Sequence, residues 1–191
     1  QDHVANTMPQ PYYRFDGSDD YIFDTAITGL HPNTGDYSIV FTAKFSSANL
    51  GSEEGVYYCS DDSPYDRHSL RLTSTNKLQW YIVVAGTGKE CTADFNMRDD
   101  KWHNVSLTWD RDGGATGTKI YVDGIECSYT ARDDFDSISG SLIPDSAFHV
   151  GKEHMNGGSA SNFCEMELSS FKAYNLALSA TEVKELYSGA S

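Results

Sequence analysis

The stretch Trp102-His103-Asn104-Val105-Ser106-Leu107-Thr108-Trp109, answered after a glycine-rich turn by Thr118-Lys119-Ile120-Tyr121-Val122-Asp123-Gly124, decides the fold class. In the first run Val105, Leu107 and Trp109 alternate with Asn104, Ser106 and Thr108, the period-two pattern of a strand with one buried face. Asp123-Gly124 is the dipeptide of a tight hairpin turn and leads into a second strand over 125–130. Trp102 and Trp109 are both expected in the core.

Working outward, the same alternation recurs. Residues 37–45 place Ile39, Phe41, Ala43 and Phe45 on one face. Residues 55–60, 68–73, 78–85 and 90–95 follow with turn residues between them, which reads as a four-strand meander. Within it Trp80 and Tyr81 point to opposite faces, as do Tyr57 and Tyr58, so one of each pair leaves the core. Residues 148–151 form a short strand and 165–173 a long one. In the long strand Met166, Leu168, Ser170 and Lys172 oppose Glu167, Ser169, Phe171 and Ala173, so alternation alone leaves its buried side open. One helix is expected near the end: Ser179 as cap, Glu182 three residues later, and Val183, Leu186 and Tyr187 on one face, with Gly189 to stop it. About eleven strands in one chain require two packed sheets. The expectation is an all-β, two-sheet antiparallel sandwich with one short C-terminal helix, formed by residues 13–191 behind a loose leader over 1–12.

Composition agrees with sheet: aromatics are 13% of the 191 residues, led by 12 tyrosines, and half-buried strands favour such side chains. A formal charge of −14 repels nucleic acid and other polyanions over most of the surface. No apolar stretch is long enough to span or insert into a membrane. Four cysteines, Cys59, Cys91, Cys127 and Cys164, without a C-x-x-C spacing point to disulfides in an extracellular setting, secreted or on an ectodomain, and away from zinc. Four cysteines allow three pairings. Cys59 with Cys91 would join the outer strands of a four-strand meander, about 14 Å apart, beyond the roughly 7 Å that a disulfide tolerates.

Several segments, in order, resemble the laminin G-like and pentraxin-like jelly rolls of the concanavalin A-like lectin/glucanase superfamily. They are Phe15-Asp16-Gly17-Ser18-Asp19-Asp20-Tyr21-Ile22, then Trp102-His103-Asn104-Val105 with Tyr121-Val122-Asp123-Gly124. Phe148-His149-Val150-Gly151-Lys152-Glu153 and Leu176-Ala177-Leu178-Ser179-Ala180-Thr181-Glu182-Val183 complete the series. The match covers about residues 13–188. The pentraxin signature, with a cysteine inside the tryptophan-rich strand, is missing, so the resemblance is to the broad group.

The resemblance implies a ligand-binding pole where the loops over 60–68 and 152–163 converge. It places Asp66 and Glu153 at calcium-ligand positions, with Asp62 as a further oxygen donor, so Ca2+ is an expected cofactor. Arg67 stands where an asparagine is expected and His154-Met155 replaces further oxygen ligands; a guanidinium beside calcium is unfavourable. Asp-rich turns at Asp16/Asp19/Asp20 and Asp133/Asp134/Asp136 also offer carboxylates. The glycan-binding set at the same pole is Asp62, Tyr65, Asp66, Arg67, His68, Lys152, Glu153, His154, Asn156 and Asn162: an aromatic face for sugar C–H groups with polar partners for hydroxyls. If those loops meet, Cys59 pairs with Cys164, which leaves Cys91 with Cys127.

The functional expectation is an extracellular carbohydrate-binding, lectin-like module assisted by calcium, whose partner is a glycan or glycoprotein. The alternative is an adhesion module that binds another extracellular protein. A polysaccharide-degrading enzyme ranks last. Glu165 and Glu167 have the alternate spacing that glycoside hydrolysis uses, but Ser169 stands where the superfamily's hydrolases carry a third acid. No catalytic residue is assigned.

Overall fold

Alternating aromatic and β-branched positions form strands over most of the chain, and the computed structural model describes residues 12–24, 31–60, 66–138, 140–142, 148–154 and 161–189. In chain order the strands are β1 (Tyr13–Asp16), β2 (Ile22–Asp24), β3 (Tyr37–Phe45), β4 (Glu54–Ser60), β5 (Arg67–Leu72), β6 (Leu78–Val84), β7 (Thr87–Ala93) and β8 (Trp102–Trp109). They continue with β9 (Thr118–Val122), β10 (Ile125–Glu126), β11 (Tyr129–Arg132), β12 (Phe148–Val150), β13 (Lys152–His154), β14 (Ser161–Phe163) and β15 (Glu165–Tyr174), followed by helix α1 (Ala180–Gly189).

Two large antiparallel sheets face each other. One has six strands in the order β1-β15-β3-β8-β9-β10, the other seven in the order β11-β7-β6-β5-β4-β12-β2. The expected meander is the run β4 to β7 in the second sheet, each strand paired with the next. Strands β13 and β14 form a separate two-stranded ribbon. Between the sheets lie Trp80, Trp109, Phe135, Phe41, Tyr57, Leu70 and Leu72, all fully buried. Each such side chain contributes about 1.5–3 kcal/mol when removed from water. Strand β3 is covered on both sides: its inward face meets the other sheet, and Val40 on its outer face joins Tyr121, Leu178 and Val183 under α1. The helix begins as expected, with Glu182 N donating to Ser179 Oγ and Ser179 N donating to Glu182 Oε2.

The undecided face of β15 is explained by a bulge. Its ladder with β3 shifts between Leu168 and Ser170, so Ser169 is the extra residue and the inward side changes parity. Before it, Met166 and Leu168 are buried; after it, Phe171 and Ala173 pack on the same core.

One core assignment is corrected. Trp109 is fully buried, but Trp102 shares the outward side of β8 with Asn104, flanked by Tyr12 at 5.3 Å and the Lys44 ammonium at 6.0 Å from its ring. Seven positions separate the two tryptophans, so a period of two puts them on opposite faces. The leader expected over 1–12 lies outside the described residues except for Tyr12.

The Trp-His-Asn and Asp-Gly segments are tied by charge as well as by strand pairing. His103 Nδ1 is 2.8 Å from Asp123 Oδ2, its Nε2 is 3.0 Å from Asp99 Oδ1, and Asn104 N donates to Asp123 Oδ1. A second buried pair, Arg98 with Glu54, joins the start of β4 to the loop after β7.

Candidate functional site

The expected pole is built around a glycine. Gly151 follows β12 with φ +91°, and a Cβ there would stand 2.6 Å from Phe15 Cδ1, so only glycine allows the chain to swing off the sheet at this point. The turn carries β13 across the outer face of β4, where Gly55 leaves room for the Glu153 backbone.

Glu153 is therefore 3% exposed. Burial pushes its carboxyl above the usual range, and Arg71 and Arg67 pull it back. Its Oε2 has no hydrogen-bond partner among the described residues. Arg71 donates from Nε to Gln79 Oε1 at 2.7 Å and lies 3.8 Å from Glu53. Arg67 lies over the ring of Tyr81 at 4.5 Å. These groups share the outer face of the seven-stranded sheet, and Tyr81 is the outward member of the Trp80/Tyr81 pair. Tyr58, outward on β4, is nearly covered.

An aromatic cluster extends this face to the sheet edge. Tyr21, Phe23 and His149 stand together, with ring centroids 5.9 Å apart for Tyr21–Phe23 and Tyr21–His149, and 6.3 Å for the stacked Phe23–His149 pair. Phe163 adds a further ring at 6.2 Å from Tyr21, and Lys152 Nζ sits 3.9 Å above Tyr21. Phe23 is 58% and Tyr21 40% exposed. The cluster forms because β2 pairs with β12 in the register Phe23↔His149, which puts both side chains outward while Phe148 and Val150 point to the core.

The structure thus brings Arg67, Lys152 and Glu153 to one surface, with Asn162 opposite Glu153 in the ribbon. His154 pairs with Ser161 in the same ribbon. Asp62, Tyr65 and Asn156 lie outside the described residues. His68 is not on that surface: it is fully buried on the inner face of β5, because it alternates with outward-facing Arg67 and Ser69. Asp66 is mostly buried and accepts the Ala85 N–H at 2.7 Å.

Of the calcium set only Asp66 and Glu153 are described, and each is nearly buried. Glu153 is buried beside Arg71 and Arg67, which lower its carboxyl against the larger effect of burial, and Asp66 accepts the Ala85 N–H at the turn after β6. Asp16, Asp19 and Asp20 do bring carboxylates within 4.8 Å of one another, all exposed. Asp16 Oδ1 accepts from Ser18 N and Asp20 Oδ2 from Asp16 N, so backbone turns account for that cluster. Asp134 likewise accepts from Asp136 N in a turn.

The expected disulfides are not formed in this structure, where all four cysteines stand as thiols. Cys164 N donates to Gly151 O, and Gly151 N to Val56 O, which places Cys164 level with a residue about 10 Å back along β4 from Cys59. A disulfide spans less than 7 Å between Cα atoms. On the other pair, Cys91 is opposite Arg132 and Ala93 opposite Tyr129, so Cys127 falls beyond the end of that ladder. Burial pushes the Cys91 thiol up to about 12. Glu165 and Glu167 lie on the other sheet, in a shallow hollow with Arg14, Lys44 and Asp100. Glu167 pairs with Lys44 at 3.0 Å and Glu165 accepts from Asn49 at 2.8 Å, so each is held in a structural contact.

Sequence reasoning passed over Tyr21, Phe23 and His149. The signal was Tyr21-Ile22-Phe23, a single alternation too short to separate an exposed edge from a core strand.

The model of the concanavalin A-like lectin/glucanases superfamily matches residues 16–184. No curated protein matches the chain. Among solved structures, the native heptameric SAP-like pentraxin from Limulus polyphemus is similar at 15% identity, with a TM-score of 0.64, over 91% of this chain and 80% of that one. The binding domain of Paraclostridial Mosquitocidal Protein 1 is similar at 15% identity and a TM-score of 0.71, over 93% of this chain and 43% of that one. The botulinum neurotoxin serotype D binding domain is similar at 15% identity and a TM-score of 0.69, over 93% and 42%. This chain spans less than half the length of the two toxin structures. At such identities the likeness is one of fold.

Proposed function

The chain belongs to the concanavalin A-like lectin/glucanases superfamily, and from that membership we propose that it is an extracellular carbohydrate-binding module that reads a glycan at the β2 edge of its seven-stranded sheet. The observation that carries the reading is the exposed Tyr21–Phe23–His149 cluster with Lys152 against it. Adjoining aromatic faces offer the flat apolar surface that a sugar ring covers with its C–H groups. Lys152 against Tyr21 and Asn162 in the adjoining ribbon supply polar partners for hydroxyls. Two of the similar structures are toxin binding domains, which agrees with a binding role and says nothing of the ligand. Fold by itself does not assign function; the aromatic platform is the local argument.

The test is a glycan array probed with the whole chain, with and without chelator. The expected result is one structurally related group of glycans bound, with affinity falling at least about tenfold in Phe23→Ala, equivalent to roughly 1.4 kcal/mol. Calcium enters through the chelator arm: loss of binding there restores the calcium-assisted form of the proposal, and unchanged binding removes it. An array with no hit, or hits indifferent to Phe23→Ala and Tyr21→Ala, refutes the platform and leaves a protein partner as the alternative.

A further inference from the structure

Two histidines and a cysteine meet on the inner face of the seven-stranded sheet, away from the aromatic platform. Cys59 of β4 and His68 of β5 are directly opposed in the ladder, so both side chains enter the core at the same level, and both are fully buried. His31, from the segment before β3, reaches the same point: its Nδ1 is 3.4 Å from His68 Nε2. One nitrogen from each histidine and the Cys59 sulfur lie within 4.8 Å of one another.

This is not the environment of an ordinary core histidine. Such a ring satisfies both nitrogens with fixed oxygen partners. Here one nitrogen of His68 faces a second imidazole, and Nδ1 has no hydrogen-bond partner among the described residues. The walls are rings: Tyr57, Tyr37 and Phe148, with centroids 5.6, 5.9 and 6.1 Å from that of His68. Burial, with His31 adding to it, drops His68 to about 3, and burial lowers His31 as well. Neutral imidazole is the metal-binding form.

The spacing suits one ion. Zinc at about 2.0–2.1 Å from nitrogen and 2.3 Å from sulfur, in tetrahedral geometry, sets its ligands about 3.3–3.6 Å apart. The imidazole nitrogens already stand at that separation, and the sulfur needs to move by about 1 Å at most. A thiolate with two imidazoles selects zinc or a similarly soft ion over calcium or magnesium. His31 is only half-buried, so its side of the cluster opens to solvent.

We propose that His31, Cys59 and His68 form a three-ligand zinc site whose fourth position opens toward solvent beside His31. Binding deprotonates the Cys59 thiol and releases that proton to water, with no redox change. The absence of C-x-x-C spacing pointed away from zinc; the ligands instead come from two facing strands and a separate segment, a pattern invisible along the chain.

The experiment uses the whole reduced chain, stripped of metal and titrated with Co2+ at neutral pH. One equivalent is expected to bind, giving intense visible d–d bands of a tetrahedral ion and a near-ultraviolet thiolate-to-cobalt charge-transfer band, both erased by Zn2+. Cys59→Ser is expected to lose the charge-transfer band. His31→Gln, at the partly exposed ligand, spares the core and is expected to weaken zinc binding by about 100-fold or more; circular dichroism checks that both variants fold. No stoichiometric uptake by the parent chain, an octahedral spectrum without the thiolate band, or uptake unchanged in His31→Gln would overturn the proposal.

Discussion

Replacing Arg98 with methionine removes a cation from a pair that water does not reach. The two side chains are 0% and 5% exposed, with Arg98 Nη2 3.0 Å from Glu54 Oε2. The guanidinium also donates to the carbonyls of Ser46 and Ser52 at 3.2 and 3.3 Å. Methionine keeps much of the stem volume, so the change is mainly one of charge and donors. Glu54 then keeps the Glu165 N–H at 3.1 Å and the Cys164 thiol but has lost its counter-charge. Stranding one member of a buried pair costs about 3–5 kcal/mol, because the remaining charge stays desolvated without its counter-charge. The two carbonyls lose a donor at about 1 kcal/mol each, some of it already counted in that range. A total near 5 kcal/mol corresponds to a fall of roughly 10–20 °C in Tm for a domain of this size. The Arg98→Met/Glu54→Leu double variant removes both charges and is expected to recover at least half of the loss. Urea and thermal unfolding followed by tryptophan fluorescence read Arg98→Met, Glu54→Leu and the double variant. Arg98→Met within about 1 kcal/mol of the parent, or a double variant that equals the sum of the singles, would refute the reasoning.

Three further outcomes are expected. His103 is held protonated above the usual imidazole range, chiefly by its hydrogen bond to Asp123. A raised native pKa contributes stability that is complete below the unfolded-state value and is lost as pH rises through the native one. Urea midpoints should therefore fall as pH rises above the unfolded-state imidazole value, and Asp123→Asn should flatten that fall; equal slopes would clear His103 as the cause. Gly55→Ala drives a methyl group into the Glu153 backbone, and should cost about 1–3 kcal/mol and speed amide exchange in β13; unchanged protection there would mean the ribbon is not seated by Gly55. Trp109→Ala should cost about 3–5 kcal/mol and Trp102→Ala far less, so similar thermal shifts for both would contradict their assignment to opposite faces.

How much could be read along the chain depended on how local each determinant was. The meander, the Asp-Gly hairpin and the Ser179–Glu182 helix start are fixed by neighbours within a few residues, and each was legible. Trp102 was legible too: the alternation that buries Val105 and Trp109 turns it outward, and the general habit of burying tryptophan obscured that. His68 was misplaced for the same reason, since loop proximity was weighed above its parity with Leu70. The Tyr21–Phe23–His149 platform depends on a pairing of β2 with β12 across more than a hundred residues, and Arg98–Glu54 and His31–Cys59–His68 likewise join distant segments. No spacing rule reports such meetings. Disulfide pairing lies at that level too: cysteine count carries compartment statistics, whereas bridging requires Cα positions set by strand register.

The bulge at Ser169 behaves like a reading frame held in three dimensions. Upstream of it even-numbered residues of β15 are addressed to the interior, and downstream odd-numbered ones are, which is how Phe171 comes to stack on Phe41 and to meet Tyr57 and Phe148 edge-on. Regular pairing through Ser169, with no bulge, would leave every side chain chemically intact yet send Lys172 inward and Phe171 out, whereas deleting Ser169 would keep Ser170 opposite Thr42 and Phe171 inward. Tyr57 and Phe148 are also walls of the His68 chamber, so losing the bulge with Ser169 retained in the six-stranded sheet would dismantle a pocket in the seven-stranded one. Substitutions along β15 are graded in their effect; a shift of register is not.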